Sequence, residues 1–255
     1  MKPTSNIGER EREWLLREKY GGAESEAFRA DCARLENGEP LDYVIGFSNF
    51  LGCTIDLSFR PLIPRAETEH WLARALEKIE AERGREAPLR ILDIFAGSGC
   101  IGIAALSRLP NAQADFADIS AAATEQIEKN LFLNAVAGER ARIYASDVWD
   151  GVPAGTKYDV VFANPPYIAD CARPDRSVLE YEPHLALFAE ENGLALIRRL
   201  FARAKDFLVS GGMMYIEHDH DQKEGIEALL SEYGFIHYSF QRDQFGLLRL
   251  LAVTM

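Results

Sequence analysis

From Leu89 to the C-terminus, short apolar runs rich in β-branched and aromatic residues alternate with longer segments whose apolar positions recur every three or four residues. The runs predict strands over 89–94, 113–118, 141–145, 158–163, 212–217, 235–240 and 247–253, and the segments predict helices near 67–83, 100–108, 121–135, 192–207 and 221–233. Apolar strands separated by helices belong to a mostly parallel sheet covered on both faces. The last two strands are joined only by Gln241 to Gly246, so they are expected to pair antiparallel at one sheet edge. Upstream the spacing changes. Trp14, Leu15, Leu16, Phe28, Ala30 and Leu35 sit at helical intervals among charges, with Gly21 and Gly22 dividing two short helices. Tyr43, Ile45 and Phe47, then Cys53, Ile55 and Leu57, alternate with period two and predict a hairpin turning near Asn49 to Gly52. The expected organisation is a short helical cap over 1–40, a β-hairpin linker over 41–60 and one α/β domain over 61–255.

Composition narrows the function. With 255 residues, 47% of them hydrophobic, the chain can bury one large core and carry a small accessory unit. The charged N-terminal stretch lacks the apolar centre of a signal peptide and no later stretch is apolar for a bilayer's length, so a cytoplasmic location without membrane contact is expected. Cys32, Cys53, Cys100 and Cys171 show no metal-type spacing and are expected to be reduced thiols. The net charge of −12 disfavours a phosphate backbone as direct substrate, although a local basic groove can coexist with an acidic total.

The first strand of the α/β region runs into a glycine-rich turn, Asp93-Ile94-Phe95-Ala96-Gly97-Ser98-Gly99-Cys100-Ile101-Gly102, and then a helix. Glycines there permit a tight strand-to-helix turn and close approach of backbone to a ligand. Gly97, Gly99 and Gly102 also fit a dinucleotide fingerprint with Asp118 at ribose distance, so a nicotinamide-dependent oxidoreductase is one reading. Carboxylates after three successive strands, Asp93, Asp118 and Asp147, instead suit the ammonium, ribose hydroxyls and adenine amine of S-adenosylmethionine, which offers all three donors. The candidate cofactor-binding set is Asp93, Phe95, Gly97, Gly99, Ile101, Asp118, Ile119, Asp147, Val148, Trp149 and Asn164, with Trp149 either stacking near adenine or simply packing.

The fourth strand delivers Asn164-Pro165-Pro166-Tyr167 to the carboxyl end of the sheet, where open α/β domains bind ligands. Two prolines in succession fix a rigid turn and leave carbonyls without a competing donor beside them. An amide nitrogen is a poor nucleophile, but if the Asn164 side-chain oxygen and the Pro165 carbonyl each accept one N–H of an NH2 group, its lone pair can be turned toward a methyl donor. Tyr167 would pack on the flat face of the target group. Asn164, Pro165, Pro166 and Tyr167 are the candidate catalytic residues.

At this point the chain, over roughly 40–255, resembles the HemK/PrmC family of protein glutamine-N5 methyltransferases. The resemblance rests on the glycine turn, on Asn164 to Tyr167, on Leu62-Ile63-Pro64-Arg65-Ala66-Glu67-Thr68-Glu69 ahead of the first helix of the α/β region, and on Tyr181-Glu182-Pro183-His184-Leu185-Ala186-Leu187 with Glu191-Asn192-Gly193-Leu194 after the tetrapeptide. It implies a class I methyltransferase fold with a Rossmann-like seven-stranded sheet and S-adenosylmethionine as cofactor. It also implies, as protein partner and substrate, the glutamine of the Gly-Gly-Gln motif of a peptide-chain release factor. The tetrapeptide alone also occurs in enzymes that methylate adenine or guanine amines of DNA or RNA, which keeps that alternative open. A non-catalytic module that only binds the cofactor or a partner is a further reading, against which the complete tetrapeptide argues.

Other residues carry weaker signals. His218-Asp219-His220-Asp221 could present alternate ligands to a metal, but no third ligand is apparent and no metal is expected. Glu217 is expected to shape the rim of the crevice, and Arg65, Glu67 and Thr68 either gate a substrate channel or cap a helix.

Overall fold

The computed structural model describes residues 8–169 and 171–255, so residues 1–7 of the expected cap lie outside the described residues. Helices α1 (Glu9–Tyr20) and α2 (Glu26–Glu36) open the chain, and Ser25 caps the second, its Oγ accepting the Phe28 N–H at 3.1 Å. The period-two stretch expected to start the hairpin at Tyr43 is a short helix instead, α3 (Leu41–Ile45). Pro40 precedes its first turn and Gly46, at φ 101°, ends it, so the neighbours Tyr43 and Val44 are both buried, which a half-exposed strand would not allow. Leu15, Phe28, Leu35 and Val44 form the small core of this unit.

The hairpin follows as β1 (Phe47–Phe50) and β2 (Cys53–Asp56), turning through Leu51 and Gly52. The chain then alternates: α4 (Ala66–Arg83), β3 (Arg90–Ile94), α5 (Cys100–Arg108), β4 (Gln113–Asp118), α6 (Ala121–Leu133), β5 (Ala141–Ala145), β6 (Tyr158–Ala163), β7 (Ile168–Ala169), α7 (Arg176–Tyr181), β8 (Phe188–Ala189), α8 (Glu190–Gly193), α9 (Ala195–Phe207), β9 (Leu208–Glu217), α10 (Lys223–Glu232), β10 (His237–Arg242) and β11 (Leu248–Thr254). A seven-stranded sheet takes the order β10-β11-β9-β6-β3-β4-β5. Every pairing from β9 to β5 is parallel, and β11 runs antiparallel to both its neighbours. The last two strands do pair antiparallel at the edge, and the last strand inserts between its partner and the parallel strands.

Alternation along the central strands sends neighbours to opposite faces. Ile91, Phe116, Val160 and Phe162 join the layer under α4, α5 and the hairpin, while Leu92, Ile94, Ala117 and Val161 join the layer under α9 and α10. Each of the larger of these side chains, fully withdrawn from water, contributes about 1.5–3 kcal/mol before chain entropy is charged against it.

The hairpin is fastened to the sheet by amides of α6. Asn134 accepts the Thr54 N–H at 3.1 Å and donates to its carbonyl at 2.8 Å, while Asn130 accepts the Asp56 N–H at 2.8 Å and donates to its carbonyl at 3.2 Å. These side chains stand in for the missing third strand. Asn130 also donates to the Ser98 carbonyl in the glycine turn at 2.9 Å. Among the described residues no helix is long and apolar enough to cross a membrane.

Candidate active site

The order of the strands reverses between β3 and β6, and the carboxyl ends of these two strands with β4 and β5 leave a crevice, the usual ligand position in an open α/β sheet. A cavity of about 510 Å³ fills it. Among the expected cofactor residues, Phe95, Gly97, Ile101, Asp118, Ile119, Asp147, Val148 and Asn164 line this cavity. Phe95 and Val148 hold left-handed backbones at φ 63° and 53°, which is costly for a bulky or β-branched residue and places both at bends in the loops that form the wall.

Asp118, at the end of β4, accepts the Gly97 N–H at 2.8 Å through one oxygen and the Ser120 N–H at 2.9 Å through the other. Burial raises its carboxyl above the ordinary range against the pull of these backbone donors. It therefore ties the glycine turn to β4 while still facing the cavity. Asp147 is half exposed and paired with Arg199 of α9 at 2.9 Å. Arg199 also lines the cavity, and no spacing in the sequence singles it out.

Asp93, Gly99 and Trp149 do not line the cavity and stand behind its wall. Asp93 has no exposed surface: one oxygen accepts the Gly102 N–H at 2.8 Å, and the other has no partner among the described residues. Burial pushes its carboxyl up to about 8. Gly99 begins α5, where a Cβ would press on Ile127 at 3.2 Å and Ile103 at 3.3 Å. Trp149 stacks on Phe207 at 4.6 Å in the core beneath α9 and donates its indole N–H to the Leu200 carbonyl at 3.0 Å. The loop that carries it turns at Val148, which sends the ring inward and leaves Val148 at the cavity.

A second, smaller cavity of about 260 Å³ meets the first at Asn164, and its walls include Pro165, Tyr167, Val178 and Leu187. Pro166 faces the larger one. The four candidate catalytic residues thus divide between two cavities with Asn164 common to both. Arg65 also lines both, and its ion pair with Glu182 at 2.5 Å joins two segments 117 residues apart. Glu182 is buried and also accepts the Ile63 N–H at 3.1 Å.

Glu217 does not lie at the rim. It ends β9 fully buried, with one oxygen accepting from Thr68 at 2.6 Å and Trp71 at 2.7 Å and the other from Tyr167 at 3.0 Å. Burial holds its carboxyl above the usual range despite those three bonds and the nearby Arg249. Thr68 caps nothing. Its hydroxyl sits between Glu217 and the Asn164 amide, whose Nδ2 approaches at 3.4 Å. Asp219, His220 and Asp221 bring their ligand atoms within 4.8 Å of one another at the surface, while His218 is buried, its Nδ1 2.7 Å from the Asp219 carbonyl. The two histidines therefore do not face one ion together.

The sequence profile of the methyltransferase small domain matches residues 72–180. The chain is 36% identical over 245 residues to the release factor glutamine methyltransferase of Bordetella pertussis, covering 94% of this chain and 88% of that protein. The chain belongs to this family. The release factor glutamine methyltransferases of Francisella tularensis and Lactococcus lactis match at 37% and 34% identity, over 82% and 94% of this chain and 72% and 86% of those proteins. At the level of fold alone, this family member superposes on the hMettl16 catalytic domain crystallised with a MAT2A 3′UTR hairpin, with a TM-score of 0.64, 14% identity and coverage of 96% and 87% of the two chains. It superposes on a ribosomal protein L11 methylase from Lactobacillus delbrueckii with a TM-score of 0.53 and 19% identity, covering 76% of this chain and 79% of that one. The seven-stranded sheet with its antiparallel edge is the class I methyltransferase fold that the sequence led us to expect.

Proposed function

We propose that this chain methylates the side-chain amide nitrogen of the glutamine in the Gly-Gly-Gln motif of a peptide-chain release factor, with S-adenosylmethionine as methyl donor. One observation carries the reading. Asn164 stands where the two cavities meet, its NH2 turned to Thr68 and its Oδ1 without a protein donor among the described residues.

The larger cavity suits the cofactor. Its volume falls within the range of about 300–1,000 Å³ typical of small-molecule sites. Phe95, Ile101, Ile119 and Val148 offer apolar walls to a purine and an alkyl chain, and Asp118 and Asp147 offer acceptors to hydroxyls and an amine. A Cβ built on Gly97 meets no protein atom within 4 Å, so the turn keeps that part of the wall open. Bound there, S-adenosylmethionine supplies an electrophilic methyl group on a positively charged sulfur.

The residues of the chain contribute position. A substrate NH2 entering by the smaller cavity gives one hydrogen to Asn164 Oδ1 and the other to the Pro165 carbonyl, while the Tyr167 ring bounds the pocket. The nitrogen lone pair is then left to face the larger cavity. As the carbon–nitrogen bond forms and the methyl–sulfur bond breaks to leave a neutral thioether, the nitrogen becomes acidic and releases one proton to water, so no buried base is needed. Glu217, which lines neither cavity, is not placed to be one.

Mass spectrometry of a purified release factor after incubation with the protein and S-adenosylmethionine tests this. A gain of one methyl on the Gly-Gly-Gln peptide, lost with Asn164→Ala, is expected. Methylation of an adenine- or guanine-bearing oligonucleotide with none on the release factor would overturn the substrate assignment.

A further inference from the structure

Both ends of the Asn164-Pro165-Pro166-Tyr167 turn are anchored on one buried carboxylate. Tyr167 reaches Glu217 directly, its hydroxyl 3.0 Å from Oε1, and Asn164 reaches it through Thr68. The direction of the bonds in this chain can be worked out. The Trp71 indole has a single polar hydrogen and only donates, and it points at Glu217 Oε2 at 2.7 Å, so that oxygen accepts. With Glu217 ionised, the Thr68 hydroxyl, 2.6 Å from the same oxygen, gives its only hydrogen to it. What remains on Thr68 Oγ1 is a pair of lone pairs, and a lone pair can receive only the NH2 side of the Asn164 amide. The flipped amide would set oxygen against oxygen. Thr68 and Glu217 are fully withdrawn from solvent, where a mismatched polar contact is costly and a matched one is directional.

We infer that Thr68 and Glu217 are positioning residues, which fix the Asn164 amide with Oδ1 toward the incoming NH2 group and hold Tyr167 at the opposite end of the turn. The inference rests on the proposed methyl transfer to an NH2 group, because only there does the choice between amide oxygen and amide nitrogen decide activity. An Asn164 amide free to flip would present a donor to a donor for part of the time. Thr68→Val keeps the shape of the side chain and removes the acceptor, and Thr68→Ser keeps the hydroxyl and removes a methyl group. Removing a buried partner that orients a metal ligand costs about 10- to 100-fold in activity, and an oriented amide is taken to lose on the same scale.

The test compares the parent, Thr68→Val and Thr68→Ser in three measurements: methylation of a release factor, S-adenosylmethionine affinity by calorimetry, and solvent exchange of the Asn164 side-chain NH2 protons. Those protons are assigned in the NMR spectrum by their disappearance in Asn164→Ala. Thr68→Val is expected to lower kcat by about 10- to 100-fold while KM for the release factor and cofactor affinity hold, with Thr68→Ser recovering most of the loss. The NH2 protons are expected to exchange faster in Thr68→Val than in the parent or Thr68→Ser. The inference is overturned if kcat is unchanged in Thr68→Val, if the loss appears in cofactor affinity instead, or if serine is as poor as valine. Should the parent fail to methylate any release factor, the activity assignment fails by itself. NH2 exchange then still decides the clamp, and equal exchange in the three proteins would refute it.

Discussion

Replacing Gly102 and Gly97 by alanine, one at a time, separates packing from ligand contact within the glycine turn. A Cβ at Gly102 would lie 2.3 Å from Cε1 and 2.7 Å from Cζ of Phe116, a ring fully buried in the sheet. Overfilling a packed core costs about 1–3 kcal/mol, and a 2.3 Å contact on a buried ring places this one at about 2–3 kcal/mol. Helix propensity returns about 1 kcal/mol when alanine replaces glycine inside a helix. The balance is a loss of roughly 1–2 kcal/mol, equivalent to a Tm lower by about 2–8 °C in a chain of this size. Cofactor affinity should hold, because Gly102 does not line the cavity. Gly97→Ala is the converse. Its Cβ meets no protein atom within 4 Å, and φ of 54° is a left-handed backbone that costs an L-residue about 1–2 kcal/mol. The methyl group stands at the cavity wall, so S-adenosylmethionine affinity should fall about tenfold, or ~1.4 kcal/mol. The thermal unfolding temperature without ligand should fall in both variants, and calorimetric titration separates them because only Gly97→Ala should lose cofactor affinity. A Gly102→Ala protein as stable as its parent, or a Gly97→Ala protein that binds cofactor normally, would refute this division of roles.

Three further outcomes follow from buried groups. Asp93 has a folded pKa raised to about 8, so between its unfolded value and 8 the native state holds the extra proton and stability falls as pH rises. Urea midpoints should decline from pH 5 to pH 8 and do so less steeply in Asp93→Asn, and an identical slope in the two proteins would contradict the assignment. Trp149→Ala should cost about 3–5 kcal/mol as a core deletion, while Trp149→Phe, folded and titrated with S-adenosylmethionine, should bind it as the parent does. Loss of affinity in Trp149→Phe would return the ring to the cofactor wall. Glu182→Gln removes the charge that holds Arg65, which lines both cavities, and should raise KM for the protein substrate with little change in cofactor affinity. An unchanged KM would show that the ion pair does not shape the substrate entrance.

The parallel strands and their helices were legible because a strand buried on both faces needs an unbroken apolar run, and few other segments supply one. Asn164 to Tyr167 was legible for a different reason: two prolines after a strand leave few structures to choose from. What the sequence did not show is direction. Trp149 follows Asp147 and Val148 in an order that suits a ligand wall, but one left-handed residue at Val148 turns the ring into the core. Asp93 and Glu217 read as crevice acids because each ends or follows a strand near the site. Whether such an acid faces a cavity or the core depends on the side to which the strand turns it, and both turn inward. Tyr43 and Ile45 mimicked a strand because two alternating apolar residues also fit one turn of helix. Arg199 lay in a helix with no local sign of a ligand and enters the site only when α9 packs on the sheet beside the loop that carries Asp147.

The amide of Asn130 joins two parts of the molecule that the sequence keeps apart. It grips the backbone of Asp56 at the end of the hairpin and, with the same nitrogen, the Ser98 carbonyl of the turn that walls the larger cavity. A partner protein that shifts the hairpin must therefore strain a bond to that wall, and a nucleoside that settles the wall stiffens the platform such a partner would meet. One shared side chain of this kind makes docking and loading reciprocal, since any preference it confers in one direction applies equally in the other.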